Sequence, residues 1–353
     1  MASRAARPAV VRAPALIGSL MRNTRIRRLA VVVALALLIA PVTWLRSDPE
    51  VTTQDLVQLQ PLGVAQPEGW PASLTLEGAW NVANDNPAFG GFSALRIEPV
   101  SNGLVAYSDR GTYAHIPRPP FAGSSPAQTA ALPRDPLLRD PQDIESVTAD
   151  SASGAIWLGY EHHNAIRRYS ANGTSQFVQP DAMAEWSTNS GPEAMVRLSD
   201  GRFIVLAERG DEGLLFADDP LTGGEPMRFS IDPPGDFLPT DMAQLPDGRV
   251  LILLRDVTWA LPPFASLLMV ADPSAIGEEE IWPLTELARI DEAGLRENYE
   301  GITVEPDGTG AATVWLIADD NLSQLQRTLL LKLHYVYAAG KQTAREAQSP
   351  AGR

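Results

Sequence analysis

Acidic residues recur at matched places along this chain. Glu145, Glu193 and Glu300 each open a short apolar stretch, and Ser93 and Thr240 stand at the equivalent positions of two further copies. A second set closes the apolar run that follows each of these: Asp109, Glu161, Glu208, Arg255 and Asp319. Carboxylates gathered by such a repeat cannot all stay ionised cheaply, so something must neutralise them. Hard oxygen ligands converging on one point suit Ca²⁺, which takes roughly six to eight of them. The candidate metal ligands are therefore Glu145, Glu161, Glu193, Glu208, Asp109, Glu300 and Asp319. Arg255, Arg110 and Arg209 offer the other solution, internal ion pairs or a fork for an anionic group.

Asp319-Asp320-Asn321 is the densest polar cluster and ends a strongly apolar run. Such residues commonly turn the chain, but here they would land among the other acids. Glu300, Asp319, Asp320 and Arg255 are the candidates for catalysis; Arg110, Arg255, Asn321 and His162 are the candidates for holding substrate. His162 and His163 follow Glu161, as a general base or as a surface pair. His115 and His334 fall within strand segments and read as packing residues. Trp157, Trp186, Trp282 and Trp315 read as fillers between sheets, and Trp259, just after Arg255-Asp256, as a residue for a pocket. The plain alternative is that the acids cap strand ends against backbone amides, and both readings stay open. No G-x-S-x-G, H-E-x-x-H or Walker-type motif occurs. With no cysteine, neither a disulfide nor a thiolate metal site can form.

A repeat must position these residues. Residues 191–209 read as a strand, a tight Asp200-Gly201 turn and a second strand ending in an acid. The pattern returns at 239–256 around Asp247-Gly248, and more loosely from Ser93, Glu145 and Glu300. Asp-Gly between apolar runs is a strong short-hairpin signal. Third strands follow at 165–169, 213–217, 266–271 and 328–335, and weaker fourth strands at 175–178 and 227–231. Four antiparallel strands recurring about every fifty residues describe a β-propeller blade. The expected fold is an all-β propeller with five visible repeats and five or six blades. Strands before Ser93 would close the ring against the last blade or add to a sixth. A parallel β-helix has shorter repeats and lacks the paired hairpins. In a propeller the innermost strands line a channel, so one repeat position becomes a ring in space. The start of the first strand and the end of the antiparallel second lie at the same mouth. Two mostly acidic rings should surround it.

Composition agrees. The 353 residues are 44% hydrophobic, enough for a large core, and 30 prolines with 27 glycines suit many turns. Charge is sharply divided: residues 1–28 hold seven arginines and no acid, leaving 21 basic against 43 acidic residues beyond them. This basic leader precedes an apolar stretch at 29–45, the pattern of a signal peptide or an N-terminal signal-anchor helix. The positive side should stay cytoplasmic, which places the acidic body in the periplasm, anchored to the inner membrane. Residues 46–72 read as a linker with an edge strand at 55–64, residues 73–337 as the propeller, and 338–353 as a disordered tail. So acidic a body argues against nucleic acid and anionic surfaces as partners.

Several short stretches resemble one family: residues 90–95 (GGFSAL), 107–111 (YSDRG), 143–147 (DIESV), 189–194 (NSGPEA), 253–256 (LLRD), 298–301 (NYEG), 317–323 (IADDNLS) and 326–330 (QRTLL). Together they are similar to the phytase-like domain of proteins described as having esterase-like activity of phytase, across roughly residues 74 to 337. The resemblance implies a bacterial exported β-propeller and, more loosely, hydrolase activity; it carries no catalytic set across. Two functions stay open. One is a metal-assisted hydrolase of small phosphoesters or carboxylic esters at the acidic mouth. The other is a non-enzymatic, membrane-anchored envelope propeller that binds a ligand or protein.

Overall fold

The computed structural model describes residues 55–98, 103–120, 124–133, 143–187, 190–209, 211–308, 310–323 and 325–337. The basic leader, the apolar stretch 29–45 and the tail 338–353 lie outside them. Among the described residues no helix is long and apolar enough to cross a membrane.

The structure is all-β. Two strands, β1 (Asp55–Pro61) and β2 (Leu74–Ala83), precede the repeats. The first repeat supplies β3 (Phe92–Glu98), β4 (Gly103–Ser108), β5 (Thr112–Ile116) and β6 (Ser124–Ala131). The second supplies β7 (Ile144–Asp150), β8 (Ala155–Tyr160), β9 (Ala165–Tyr169) and β10 (Ser175–Val178). The third has β11 (Pro192–Arg197), β12 (Phe203–Ala207), β13 (Glu212–Phe216) and β14 (Met227–Ser230). The fourth has β15 (Leu238–Gln244), β16 (Val250–Val257), β17 (Phe264–Ala271) and β18 (Thr285–Ile290). The last has β19 (Asn298–Pro306), β20 (Ala311–Asp319) and β21 (Leu329–Val336).

Repeats two, three and four are separate four-stranded antiparallel sheets. The remaining strands form one nine-stranded sheet in the order β19-β20-β21-β2-β1-β6-β5-β4-β3. It is two blades joined at their outer edges. β2 completes the last blade beside β21, and β1 pairs with both β2 and β6. The N-terminal hairpin thus closes the ring, and five blades result. The segment expected as an edge strand at 55–64 is paired on both sides, so β1 is no edge. Innermost strands touch in sequence around the ring, β3 to β7, β7 to β11, β11 to β15, β15 to β19 and β19 back to β3.

The continuous apolar runs explain the stacking. On β16, Ile252 and Leu254 pack towards the third blade with Ala194 and Leu206. Leu251 and Leu253, on the other face, pack towards the fifth with Leu316 and Leu331. A central strand buried on both faces must be apolar at every position, because its side chains alternate between two neighbours. Each buried leucine contributes roughly 1.5–3 kcal/mol. Trp157 meets Phe203 across the second and third blades at 5.1 Å between ring centres, and Trp282 meets Phe229 at 5.7 Å. Trp186 and Trp315 are also buried, whereas Trp259 is fully exposed. His115 and His334 do lie on the third strands β5 and β21. Their rings face acids rather than the core: His115 Nδ1 is 2.8 Å from Glu98 and His334 Nε2 is 3.5 Å from Asp307.

One irregularity repeats in every blade. The pairing of first and second strands skips a residue between Phe92 and Ala94, Ile144 and Ser146, Pro192 and Ala194, Pro239 and Asp241, and Tyr299 and Gly301. The skipped residues are Ser93, Glu145, Glu193, Thr240 and Glu300. A bulge leaves its extra residue out of the ladder and re-aims its side chain, which suits a functional position.

Candidate functional site

The five bulges lie where the innermost strands begin. Ser93 and Thr240 do not join an acidic ring; their hydroxyls fasten neighbouring blades. Ser93 Oγ donates to the Ile144 carbonyl of the second blade at 2.5 Å. Thr240 Oγ1 donates to the Tyr299 carbonyl of the fifth at 3.2 Å. The three glutamates are left to face the channel. Burial pushes Glu193 well above the usual carboxylate range, with Glu300 and Glu208 adding to it. Glu145 is driven the same way by burial and by Glu193, Glu300, Asp143 and Asp109. These charges feel one another, as members of one cluster must.

The second set stands at or close to the ends of the second strands. Asp319 is buried, and burial, Glu300 and Asp109 raise its carboxyl well above normal. Its Oδ1 accepts the Asn321 amide at 2.6 Å. Glu161 is pushed to about 7 by burial and by the neighbouring charges of Asp143 and Glu208. Arg255 is the cation among the acids. Its Nη2 lies 3.6 Å from Glu208 and its Nη1 3.7 Å from Glu300. Burial alone would lower its pKa, but Glu300, Glu193 and Glu208 together raise it and keep it charged. Glu300 shows the mirror image: burial raises its carboxyl, and Arg255 and Asn298 partly oppose that. Asn298 Nδ2 donates to Glu300 Oε1 at 2.7 Å, while no donor among the described residues reaches its buried Oδ1.

One group has the spacing of a cation site. Carboxylate oxygens of Asp143, Glu145 and Glu161 all lie within 4.8 Å of one another. Asp143 is the residue that the repeat pattern did not single out. It stands just before β7, two residues ahead of the bulge, and the Asp-x-Glu spacing is the signal that would have found it. The group is fixed from behind. The Glu161 amide donates to the Asp143 carbonyl at 2.9 Å. Gly191 packs so closely that a Cβ there would sit 2.3 Å from Glu161 Cα. Gly91 adopts φ +64°, and a Cβ on it would reach within 2.8 Å of Asp109 Oδ1.

Other candidates are placed differently. Asp320 accepts from the Gly91 amide at 3.0 Å, from the Leu322 amide at 2.9 Å and from Thr328 Oγ1 at 3.0 Å. Its carboxylate ties the fifth blade to the first and organises the turn after β20. Asn321, at φ 49°, directs its amide to Gln326 at 2.8 Å and is exposed. His162 is exposed, with its ring edge-on to His163 at 5.6 Å. Arg209 is exposed beside Glu208 at 3.2 Å. Arg110 is half-buried next to Asp109, and its backbone amide donates to Ser108 Oγ at 3.2 Å. Asp241, also missed, is buried and accepts the Ile302 amide at 2.8 Å and the Met242 amide at 2.8 Å, an interblade clip away from the mouth.

Several solved structures align over most of the chain. A streptogramin B lyase superposes with TM-score 0.41 at 10% identity, over 79% of this chain and 98% of its own. A virginiamycin B lyase from Staphylococcus aureus gives 0.38 at 16%, over 76% and 82%. A gluconolactonase from Xanthomonas campestris gives 0.42 at 12%, over 78% and 97%. No match is found among curated proteins. The family model described as Phytase-like, esterase-like activity of phytase, matches residues 87–322, a span that runs from just before β3 to just past β20. The chain belongs to that Phytase-like family.

Proposed function

We propose that the acidic mouth is the active site of a hydrolase that cleaves small phosphoesters or carboxylic esters with the help of a divalent cation, Ca²⁺ by its preference for hard oxygens. The observation that carries the reading is the convergence of Asp143, Glu145 and Glu161 within 4.8 Å. Three carboxylates so close, in a setting that already raises Glu145 and Glu161, favour a bound cation over three bare charges. A cation held there would offset the carboxylate charge and act as a Lewis acid towards an ester carbonyl or phosphoryl oxygen.

The chain's own residues supply the rest. Glu300 and Asp319, buried carboxylates outside the cation group, are the candidates to take a proton from an attacking water. Arg255 presents a fixed guanidinium to an anionic group on the substrate or on the developing intermediate. Glu208 and Glu300 hold Arg255, Glu193 and Asp319 add to the charge that keeps it ionised, and Asn298 Nδ2 fixes Glu300. Asp109, just past the end of β4, is a further oxygen donor. Asp320 serves the framework, which removes it from the catalytic set proposed here. The periplasmic, membrane-anchored setting rests on the charge asymmetry of residues 1–45. The reading is tested by assaying the full chain on a phosphomonoester and on a carboxylic ester, with and without chelation. Chelator-sensitive turnover lost in Glu145→Gln supports it; turnover indifferent to both sinks it.

A further inference from the structure

The mouth is not alike all the way round. Among the described residues seven large hydrophobic side chains are exposed, and four of them stand at or beyond the ends of two strands that carry site residues. Val257 is 66% exposed, Trp259 107% and Leu261 87%, at and beyond the end of β16; Leu325 is 80% exposed in the loop after β20. Both loops leave strands whose last residues belong to the site, Arg255 on β16 and Asp319 on β20. The first loop is built rather than loose. The Thr258 amide donates to the Pro263 carbonyl at 2.8 Å, and the Ala260 amide to Thr258 Oγ1 at 3.3 Å. Scattered exposed leucines need no explanation, but three large apolar side chains exposed at the end of one strand that carries a site residue do. The opposite arc, on the second blade, carries Asp143, Glu145, Glu161 and the exposed His162 instead.

We infer that Trp259 and Leu261, with Leu325 on the neighbouring blade, form the apolar half of the substrate site. The substrate is therefore amphipathic: an ester whose reacting group lies over the acids and Arg255, and whose other end is an alkyl or aryl group. This rests on the proposed function and narrows it, because a ligand charged on every side would leave the rim without a partner. An aromatic ring with two torsions gives large contact area at small entropic cost, which suits Trp259 to gripping such a group. A membrane is the weaker occupant, since the loops overhang a strongly acidic mouth that repels anionic headgroups.

The test needs no turnover. Methylphosphonate and octylphosphonate are titrated calorimetrically into the full chain with calcium chloride present. The inference expects octylphosphonate to bind at least about tenfold more tightly, with most of that preference lost in Trp259→Ala combined with Leu261→Ser. Leu56→Ser, an equally apolar exposed site on β1, should keep the preference. Equal binding of the two phosphonates, binding of neither, or a preference untouched by the double substitution overturns it. So does Trp259-dependent binding to phosphatidylcholine vesicles without any chain-length preference, which would assign the loop to a membrane. A parallel calcium titration separates the two levels. Calcium binding without chain-length preference removes only this inference, whereas preference without calcium binding removes the metal-assisted mechanism and leaves the apolar rim.

Discussion

Arg255 Nη1 faces Glu300 Oε1 at 3.7 Å, and the same guanidinium reaches Glu208 at 3.6 Å. One half-buried cation thus serves acids of two blades, at the repeat position where the other blades carry a carboxylate. Removing one partner of such a group leaves the rest buried and uncompensated. Arg255→Met should destabilise the chelated protein by roughly 3 kcal/mol at pH 8, measured by urea unfolding. The deficit should shrink as pH falls, because protonating the raised carboxyls removes the charge that the arginine offsets.

Stability should also depend on pH in a definite direction. Glu161 is raised from its ordinary value to about 7, and Glu145, Glu193 and Asp319 are raised as well. For a raised carboxyl the folded state binds the proton more tightly than the unfolded chain. Stability is then greatest below the unfolded pKa and falls as pH rises through the folded one. In chelator, Tm should drop between pH 5 and pH 8. Calcium competes with those protons, so its stabilising effect should grow over the same interval. A Tm that rises with pH in chelator would contradict the assignment.

Asp320 should matter to the framework and not to the cation. Asp320→Ala strands the Gly91 amide between the first and last blades and leaves Thr328 without its acceptor. A loss of roughly 2 kcal/mol is expected, read from denaturant midpoints, with calcium affinity changed less than about threefold. A large loss of affinity would return Asp320 to the site.

Gly191 links packing to chemistry. An added methyl would meet the Glu161 backbone at 2.3 Å from Cα and 2.7 Å from the carbonyl oxygen. Gly191→Ala must push Glu161 away from Asp143 and Glu145. Calcium affinity should fall by about tenfold or more, together with a lower Tm. Gly224→Ala, where no atom lies within 4 Å, should change neither.

The sequence showed most of this architecture because blades repeat. Asp200-Gly201 and Asp247-Gly248 sit between β11 and β12 and between β15 and β16, as their hairpin chemistry requires. The apolar runs became second strands because a strand buried on both faces must be apolar at successive positions. Outer strands were harder to read. β6 (SSPAQTAA) has few β-branched or aromatic residues and half of its side chains face solvent, so pattern alone did not mark it. The ring positions were legible, but their bulges were not, since a skipped pairing leaves no mark in hydrophobicity. Ser93 and Thr240 therefore looked like ring members, yet their short hydroxyls reach backbone carbonyls of their own blade and the next. Asp143 escaped notice because it precedes its strand and has no counterpart at the same offset in the other repeats. Asp320 looked like chemistry because it adjoins Asp319; only its three donors show otherwise.

The most direct test is calcium titration of the full chain by calorimetry after exhaustive chelation, beside Asp143→Asn and Glu145→Gln. The account predicts saturable binding to the wild type with a rise in Tm, and binding weakened by about tenfold or more in each variant. No heat of binding and no thermal shift in the wild type would mean that Arg255 and shared protons neutralise the acids internally. The same contradiction would follow from calcium affinity that both variants leave intact.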